Sequence, residues 1–354
     1  MFDLVIVGGG PAGATLARLA APKLKVLVLD RRGLDRVFIG GYEKCCGGLL
    51  APDAQEMLAR LGLGVPRSVL VGPQLFTVRT MDFASGQERF YRRDYVNVDR
   101  EAFDRWLVSL LPDNVEGAWG ALFRSFAMEK EGIRVSYRQD GREKTVLTKL
   151  LVGADGACSR VRKLLGDGGK APDLYVSIQE WFKVERALPY YSAIFDPEVT
   201  DFYSWTIPKE DMLLVGTAIP ALGDAWAGFE LLKERLAQRG FDLSISVKKR
   251  GIQLLRPSKV GQIFTGRGDV ALIGEAAGWI SPSSAEGLSY CFRSALNLTR
   301  ALEQGCEGAI QRYAGYSQGL KLNILGKIIK SPAMYNQHLR RLAMGSGLKS
   351  MKLY

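Results

Sequence analysis

The hydrophobic pattern of the first thirty residues predicts a strand, a helix and a second strand in close succession. Mostly apolar residues run from Phe2 to Val7, which is typical of a short buried strand, and a second apolar run ends at Asp30. Between them, glycines lead into a helical stretch from Ala14 to Ala21. This order indicates a βαβ unit and a parallel sheet.

The turn after the first strand carries the G-x-G-x-x-G pattern at Gly8, Gly10 and Gly13. The first glycine allows a tight turn, the second lets the backbone approach a pyrophosphate, and the third lets helix and strand pack closely. N–H groups at the helix start then hold the phosphates, and Asp30 can accept hydrogen bonds from a ribose. The predicted dinucleotide site comprises Gly8, Gly10, Pro11, Ala12, Gly13, Asp30 and Arg31.

Two later segments favour FAD over NAD as the dinucleotide. An apolar strand at 149–153 runs into Gly-Ala-Asp-Gly, which contains Asp155, and a second strand at 269–273 ends in Gly274 and Glu275. Acids at such strand ends are well placed to bind ribityl hydroxyls. The next helix start, at 287–288, can face negative charge that develops on a flavin.

These three segments resemble the FAD-dependent superfamily of p-hydroxybenzoate hydroxylase type. Its signatures are an N-terminal G-x-G-x-x-G, a mid-chain Asp-Gly and a late Gly-Asp, and all three occur here in order within residues 1–288, with Glu275 in place of the usual Asp. The segment 98–107 also resembles the helix whose leading arginine contacts the cofactor. The resemblance implies FAD and assigns it contacts with Arg100, Asp155, Gly274, Glu275, Gly278, Gly287 and Leu288.

Two further motifs resemble the geranylgeranyl reductase family. Residues 44–48 (KCCGG) match its Lys-Pro-Cys-Gly-Gly with Cys45 for Pro, and residues 203–208 (YSWTIP) match its Tyr-x-Trp-x-Phe-Pro with Ile207 for Phe. Residues 46–55 (CGGLLAPDAQ), together with 274–278, are especially similar to the CbrA-like branch of that family. The resemblance implies that these segments lie near the isoalloxazine ring and line a lipid cavity. It adds Lys44, Cys46, Gly47 and Gly48 to the predicted cofactor site.

Aromatic residues are dense between positions 175 and 205, where an alternating, β-branched pattern predicts an antiparallel sheet. They are Tyr175, Trp181, Phe182, Tyr190, Tyr191, Phe195, Phe202, Tyr203 and Trp205. Such a sheet either lines a dry pocket or fills a core with its aromatic side chains. Tyr203 and Trp205 share one strand face, so we expect them to face the pocket.

Four residues are candidates for a chemical role: Lys44, Cys46, Tyr203 and Trp205. The Cys46 thiol could donate a proton to the carbon opposite hydride delivery, or it could only fill space as a small apolar group. Lys44 could set the flavin's electronics or bind a substrate phosphate. The one histidine, His338, lies far from these motifs, which argues against a Ser-His triad.

The net charge of +11 is concentrated near the end of the chain. No acid follows Glu307, and eight basic residues do: Arg312, Lys321, Lys327, Lys330, Arg340, Arg341, Lys349 and Lys352. Residues 320–330 predict an amphipathic helix ended by Pro332, with Leu320, Ile324, Leu325, Ile328 and Ile329 on its apolar face. Such a helix either contacts an anionic membrane surface or packs on the flavin domain with its charges in water. Mixed with leucine and isoleucine, the basic residues do not indicate a nucleic-acid site.

Composition narrows the remaining classes. A hydrophobic fraction of 47% and a charged fraction of 24% are typical of a globular protein, and no apolar run approaches the ~18 residues of a membrane span. Five cysteines, two of them adjacent, and no signal peptide predict a reducing, cytoplasmic setting, with or without peripheral attachment to the inner membrane face. No metal-ligand spacing is present. Without a second dinucleotide motif, electrons must come from transiently docked NAD(P)H, a reductase or a ferredoxin.

Together these features predict an α/β flavoprotein in which a Rossmann-like FAD-binding domain is interleaved with an antiparallel-sheet substrate domain and followed by a helical tail. The boundaries are 1–72, 96–168 and 255–310 for the FAD-binding domain, 73–95 and 169–254 for the substrate domain, and 311–354 for the tail. No feature of the sequence decides the oligomeric state.

The resemblance implies an oxidoreductase that reduces C=C bonds of an isoprenoid or other lipid by hydride transfer from reduced flavin N5. The alternative is a flavin-dependent monooxygenase or halogenase acting on a hydrophobic small molecule. The motif at 203–208 is one residue from the Trp-x-Trp-x-Ile-Pro of halogenases, although the chain is short for that family. A third hypothesis is a flavin-binding protein without turnover.

Overall fold

The computed structural model describes residues 1–33 and 45–353, and contacts divide these residues into two units. Unit 1 contains 1–33, 101–172 and 255–326, and unit 2 contains 45–100, 173–254 and 327–353. Each unit is therefore assembled from three separate stretches of chain.

Unit 1 is built on an eight-stranded sheet. With labels in chain order, its strands are β1 (Phe2–Val7), β2 (Val26–Asp30), β6 (Glu116–Trp119), β7 (Leu122–Glu129), β8 (Gly132–Gln139), β9 (Arg142–Gly153), β15 (Gly266–Arg267) and β16 (Val270–Leu272). Its helices are α1 (Pro11–Ala20), α3 (Arg100–Ser109), α4 (Arg160–Leu165), α6 (Leu288–Leu302) and α7 (Ala309–Tyr316).

The centre of this sheet is parallel. The strand order is β15-β16-β9-β1-β2-β6, and β1 pairs in parallel with both β2 and β9. Apolar side chains of β1, β2, β9 and β16 form one core with those of α1, α6 and α7. Strands buried in this way carry nearly continuous apolar runs, which explains why Phe2–Val7 could be recognised from sequence.

Unit 2 is built on a nine-stranded sheet. Its strands are β3 (Leu49–Leu50), β4 (Leu75–Asp82), β5 (Gln87–Asn97), β10 (Asp173–Lys183), β11 (Tyr191–Phe195), β12 (Ser204–Lys209), β13 (Met212–Pro220), β14 (Ser246–Arg256) and β17 (Ser350–Met351). Its helices are α2 (Pro52–Arg60), α5 (Ala225–Ala237) and α9 (Gln337–Gly345), and α8 (Gln318–Tyr335) begins in unit 1 and ends in unit 2.

The sheet of unit 2 is antiparallel except where β11 pairs in parallel with β4. Its order is β14-β10-β13-β12-β11-β4-β5-β17, with β3 on β5. One face packs on α5 through an apolar core that includes Phe182, Ile194 and Phe229. Because side chains alternate along a strand, Trp181 and Trp205 lie on the other face.

The predicted fold class is confirmed: the chain is a mixed α/β protein with a parallel Rossmann-like sheet, a second sheet rich in antiparallel pairs, and C-terminal helices. The predicted domain boundaries differ from the two units in four places. Residues 45–72 and 96–100, predicted with the FAD-binding domain, lie in unit 2, and residues 169–172, predicted with the substrate domain, lie in unit 1. The predicted tail is divided, since 311–326 belong to unit 1 and 327–353 to unit 2.

The prediction that Pro332 ends the tail helix is wrong. Helix α8 continues to Tyr335 with Pro332 inside its last turn, where the missing N–H removes only one hydrogen bond of the helix. The helical conformation is interrupted at Asn336 instead. Its side-chain oxygen accepts hydrogen bonds from the N–H groups of His338 and Leu339 and so caps α9.

The predicted apolar face of α8 is also divided. Leu320 and Ile324 are buried, whereas Leu325 and Ile329 are exposed together with Leu322. In the part of the chain that the structure describes, no helix has both the length and the apolar character needed to cross a bilayer.

Candidate functional site

The glycines of the first turn in unit 1 are required by close backbone contacts. Gly8 has φ +106°, and a Cβ there would lie 2.4 Å from the carbonyl oxygen of Ala154. A Cβ on Gly13 would lie 1.9 Å from the carbonyl oxygen of Gly8. The turn therefore packs against both α1 and the end of β9 at distances that only glycine permits.

Space remains open above Gly10, at the start of α1. A Cβ on Gly10 would meet no atom of the described residues within 4 Å, and no side chain caps the helix that begins at Pro11 and Ala12. The N–H groups of this helix start are thus available to an anionic ligand. Gly274 reaches the same region, because a Cβ there would lie 2.9 Å from Cβ of Ala12.

Asp30, which was predicted to accept hydrogen bonds from a ribose, accepts hydrogen bonds from other residues of the protein. Its carboxylate accepts hydrogen bonds from the N–H of Gly9 at 2.6 Å and from the backbone and guanidinium of Arg32. Arg32 also pairs with buried Asp104 at 3.1 Å. Burial alone would lower the pKa of Arg32, but the hydrogen bonds and charges of the Asp30 and Asp104 carboxylates raise it. Sequence reasoning named the neighbouring Arg31, which is exposed, and missed Arg32.

Asp155, after β9, caps the helix that follows it. One carboxylate oxygen accepts a hydrogen bond from Ser159 Oγ at 2.6 Å, and the other accepts from the N–H groups of Arg160 and Val161. Burial raises the pKa of Asp155, and these hydrogen bonds oppose the rise. The contact of Asp155 with a cofactor stays a prediction.

The late Gly-Glu turn lies between β16 and α6. Gly274 and Gly278 have positive φ, and Glu275 accepts a hydrogen bond from the N–H of Leu255 at 3.0 Å. Gly287 precedes Leu288, the first residue of α6, and no side chain caps that helix start. The helix starts of α1 and α6 thus both lack a side-chain cap, as does that of α7 at Gly308.

Cys158 lies among several of the predicted cofactor residues and was missed by sequence reasoning. Cys158 is exposed, but partial desolvation raises the pKa of its thiol, the charges of Glu275 and Asp155 raise it further, and the Arg31 guanidinium opposes them. Because charges act strongly only at short range, Arg31, Asp155 and Glu275 share one neighbourhood. A cysteine two residues after a predicted Asp-Gly is the signal that could have identified it.

The residues of unit 1 fit a bound FAD. The open room over Gly10, the uncapped start of α1 and the close approach of Gly274 to Ala12 form a cradle that a larger side chain would fill. An uncapped helix start with free N–H groups suits a pyrophosphate.

In unit 2, the two glycines of the Cys-Gly-Gly segment are held against the sheet. A Cβ on Gly47 would lie 2.5 Å from Cδ1 of Ile207 on β12, and one on Gly48, at φ +63°, would lie 2.2 Å from the carbonyl oxygen of Val98. The two motifs predicted to act together are therefore in direct contact, through Gly47 and Ile207. Cys46, half-buried, precedes these glycines.

A buried lysine that sequence reasoning missed holds this segment. Lys209 Nζ donates hydrogen bonds to Oδ1 of Asn97 at 2.5 Å, to the carbonyl of Val98 at 2.8 Å and to that of Gly48 at 3.3 Å. Three acceptors match the three donors of an ammonium group. The available signal was a lysine directly after Pro208, at the end of an otherwise apolar motif.

We expect Lys209 to make the stability of the protein depend on pH. Burial lowers its pKa to about 7, against the opposing charges of Cys46 and Asp99, while an unfolded lysine titrates near ~10.4. Between these values the unfolded chain binds the extra proton, so stability rises with pH by up to ~1.4 kcal/mol per unit. Urea unfolding of wild type and Lys209→Met from pH 6.5 to 9.5 measures this slope.

In Lys209→Met and Lys209→Gln, the free energy of unfolding should lose the part of its pH dependence that comes from titration of Lys209. Equal slopes in wild type and both variants would contradict a titrating Lys209, whatever the absolute stabilities.

Tyr203 and Trp205 lie on the same face of the unit 2 sheet as Ile207, against which Gly47 packs. Their ring centroids are 5.4 Å apart, and Trp205 is buried. The indole lies over Gly216 of β13, where a Cβ would approach Trp205 Nε1 to 2.5 Å. Beyond Tyr203, an aromatic cluster joins Phe195, Phe202 and Tyr335.

Two further predicted site residues are Lys44 and Arg100. Lys44 lies outside the described residues. Arg100 is buried at the first position of α3. Within 1–33 and 45–353, no group of three or more His, Cys, Asp or Glu side chains could hold a metal ion. The roles assigned to individual site residues stay predictions.

Several solved structures share this fold. A geranylgeranyl bacteriochlorophyll reductase-like protein from Thermoplasma acidophilum aligns with a TM-score of 0.79 at 18% identity, over 95% of this chain and 87% of that one. PqsL from Pseudomonas aeruginosa, a probable FAD-dependent monooxygenase, aligns at 0.71 and 18% over 98% of both chains. The halogenase PltM in complex with FAD aligns at 0.71 and 14%, over 94% of this chain and 76% of that one. The fold is that of FAD-dependent oxidoreductases.

Relatives by sequence then identify the family. Protein CbrA of Escherichia coli O9:H4 is 41% identical over 98% of this chain and 94% of its own length, and Protein CbrA of Shigella flexneri serotype 5b is 40% identical over the same shares. The chain belongs to the CbrA family. No protein-family model matches it.

Proposed function

We propose that this protein is an FAD-dependent oxidoreductase that reduces C=C bonds of an isoprenoid or other lipid substrate. The packing of Gly47 on Ile207 supports it most directly, because it joins the Cys-Gly-Gly segment to an apolar, aromatic sheet face. An alkene substrate requires such a dry surface, since it offers no polar group at the reacting bond.

Residues of unit 1 would hold the cofactor. The start of α1 at Gly10–Gly13 would bind the pyrophosphate, and the Gly274–Gly278 turn with the start of α6 would bind the flavin side. When bound and reduced, FAD supplies a hydride equivalent. Electrons would reach it from NAD(P)H, a reductase or a ferredoxin.

Residues of unit 2 would exclude water and supply the proton. Trp205 and Tyr203 present ring faces on the sheet, and Cys46 precedes the two glycines locked against Ile207 and Val98. Lys209 holds the carbonyl of Gly48 and so keeps the segment in place. A thiol fixed in this way can donate a proton to the substrate carbon that does not receive the hydride.

Anaerobic turnover tests the proposal. The FAD-loaded protein is reduced with dithionite without oxygen and incubated with a polyprenol, and the product is examined by mass spectrometry. Each reduced bond adds two hydrogens, one as hydride and one as a proton. An absolute requirement for oxygen, or a product that gains oxygen or halogen, would reject the reductase.

Cys46→Ala tests the proton donor. Loss of a general acid lowers a rate by ~10²–10⁴-fold, so we expect at least a ~100-fold slower reduction with unchanged FAD binding. The matched control is Cys45→Ala, which removes the adjacent, buried thiol and should leave the rate within a few-fold of wild type. Full activity in Cys46→Ala would leave the thiol only a packing role.

A monooxygenase or halogenase is the second candidate. The segment Tyr203–Pro208 differs from the halogenase Trp-x-Trp-x-Ile-Pro at its first position. Oxygen consumption coupled to a hydrophobic substrate would favour it. A bound flavin that no electron donor can reduce would favour the third candidate, a flavin-binding protein without turnover.

We also propose that the C-terminal helices contact an anionic membrane surface. Ile329 and Leu342 are 68% and 72% exposed, and the basic residues Lys330 and Arg341 lie beside them on the surface. Apolar side chains next to basic ones suit a lipid interface that carries negative charge.

We expect Ile329→Asp combined with Leu342→Asp to reduce cosedimentation with phosphatidylglycerol vesicles by about tenfold, because it buries less apolar area and adds repulsion. Leu222→Asp, at a fully exposed site elsewhere in unit 2, is the control. Equal vesicle binding by wild type, the double variant and Leu222→Asp would show that Ile329 and Leu342 do not contribute to membrane contact.

A further inference from the structure

Three buried polar atoms on one face of the unit 2 sheet have no hydrogen-bond partner among the described residues. They are Oγ of Ser177, Oε1 of Gln179 and Nε1 of Trp205. All three residues are at least nine-tenths buried. Burying a polar group without a hydrogen-bond partner is unfavourable, so three such groups on one sheet face indicate a partner that the polypeptide does not supply.

The strand register places these three side chains on one face of neighbouring strands. Gln179 of β10 pairs with Gly216 of β13, and Gly216 pairs with Trp205 of β12, so the three residues form a row on one face. Gly216, in the middle, has no side chain, and Trp205 Nε1 lies directly above it. Ser177 lies two residues from Gln179 and thus on the same face. We call this group of three unpaired polar side chains around Gly216 the polar notch.

The notch adjoins the candidate catalytic segment. Ile207, which contacts Gly47, is two residues from Trp205 on the same strand face, about 6.6 Å along β12. Tyr203 flanks the notch on the other side and leads to the aromatic cluster of Phe195, Phe202 and Tyr335. A polar group in the notch would therefore lie between the Cys-Gly-Gly segment and an apolar wall.

The chemistry of the notch selects an uncharged hydroxyl group. The indole N–H of Trp205 only donates, the Gln179 oxygen only accepts, and the Ser177 hydroxyl can do either. A hydroxyl group satisfies all three because it both accepts and donates. A phosphate would place negative charge against the Gln179 oxygen. The ammonium of Lys209 further along β12 is already bound by three acceptors, and that of Lys248 lies over the ring of Trp181.

We infer that the polar notch of Ser177, Gln179 and Trp205 binds the hydroxyl group of an apolar alcohol. This rests on the proposed function in taking the ligand to be an isoprenoid chain. It goes further by naming the free alcohol, not its phosphate ester or a hydrocarbon, as the form that is recognised.

The test is equilibrium binding to the oxidised, FAD-loaded protein without an electron donor. The probes are farnesol, farnesyl methyl ether, which can accept but not donate a hydrogen bond, and farnesyl monophosphate. We expect farnesol to bind about tenfold more tightly than the ether, because the ether leaves the Gln179 oxygen unpaired, and more tightly than the monophosphate. Gln179→Met should bring the ratio of alcohol to ether affinity close to one.

Thr206→Val is the matched control. Thr206 is adjacent to Trp205 on the same strand, is buried, and also has an unpaired hydroxyl, but it faces the opposite side of the sheet. It should keep the wild-type ratio. If Gln179→Met does not fold, Ser177→Ala provides the second measurement and should lower the ratio.

Several results would overturn the inference: tighter binding of the monophosphate, no binding of any probe, or a ratio that Gln179→Met and Ser177→Ala leave unchanged, as an ordered water in the notch would produce. The two proposals also fail separately. A hydroxyl preference without C=C reduction would overturn the proposed function alone, and reduction of farnesol without that preference would overturn the notch alone.

Discussion

Gly13→Ala is expected to yield no folded, flavin-containing protein. Its Cβ would lie 1.9 Å from the carbonyl oxygen of Gly8 and 3.2 Å from Cγ2 of Ile6. A backbone oxygen cannot swing aside, so α1 would have to separate from β1 in the core of unit 1. We expect a loss of several kcal/mol, comparable to the ~5–15 kcal/mol that keeps a domain folded. Soluble yield, thermal unfolding and flavin absorbance measure this.

Gly10→Ala is the matched variant. Its methyl group meets no atom of the described residues, and φ −72° with ψ −173° is ordinary for alanine, so the ligand-free protein should unfold at the wild-type temperature. FAD affinity should nevertheless fall at least ~10-fold, because the methyl group occupies room assigned to the pyrophosphate. Unchanged FAD affinity in this variant would show that the phosphates do not bind there.

Separating Asp82 from Arg340 is expected to have the second-largest effect. Asp82 ends β4, and its buried carboxylate accepts a hydrogen bond from Arg340 Nη2 of α9 at 3.1 Å. Arg340 also donates to the carbonyl of Met334 and lies over the ring of Phe195. Arg340→Met would leave a buried carboxylate without its counter-ion, at a cost of about 3–5 kcal/mol in unfolding free energy.

The controls separate this loss from a general effect of charge. Arg60→Met removes an exposed partner of Glu56 within α2 and should cost less than ~0.5 kcal/mol. Asp82→Asn combined with Arg340→Met removes both charges and should regain part of the loss. A single Arg340→Met variant as stable as Arg60→Met would contradict a structural role for the pair.

What could be predicted from sequence depended on whether the signal was local. The turn at Gly8–Gly13 was recognisable because strand, glycines and helix follow one another, and the same is true of the alternating strands near Tyr203 and Trp205. These patterns reflect steric and solvation demands of neighbouring residues, so the fold class followed from them.

Long-range pairing was not predictable in the same way. Arg340 belongs to a run of basic residues that suggested a solvated surface, yet its partner Asp82 precedes it by more than half the chain. Lys209 has no local partner either, since its acceptors are on Asn97, Val98 and Gly48. Arg312 likewise donates to carbonyls of Ala301 and Glu307. The charge excess after Glu307 is therefore partly used inside the protein.

The interleaving of the two units has a consequence for how the protein is made. In the sheet of unit 1, β1 lies beside β9, and β9 lies beside β16, so the first strand synthesised waits for strands at 142–153 and 270–272. Translation adds roughly 5–20 residues per second, so the apolar Phe2–Val7 segment spends on the order of tens of seconds outside the ribosome before its sheet can close. Over that interval it is a target for chaperones, and production should be more sensitive to translation speed and chaperone supply than that of a protein whose domains follow one another.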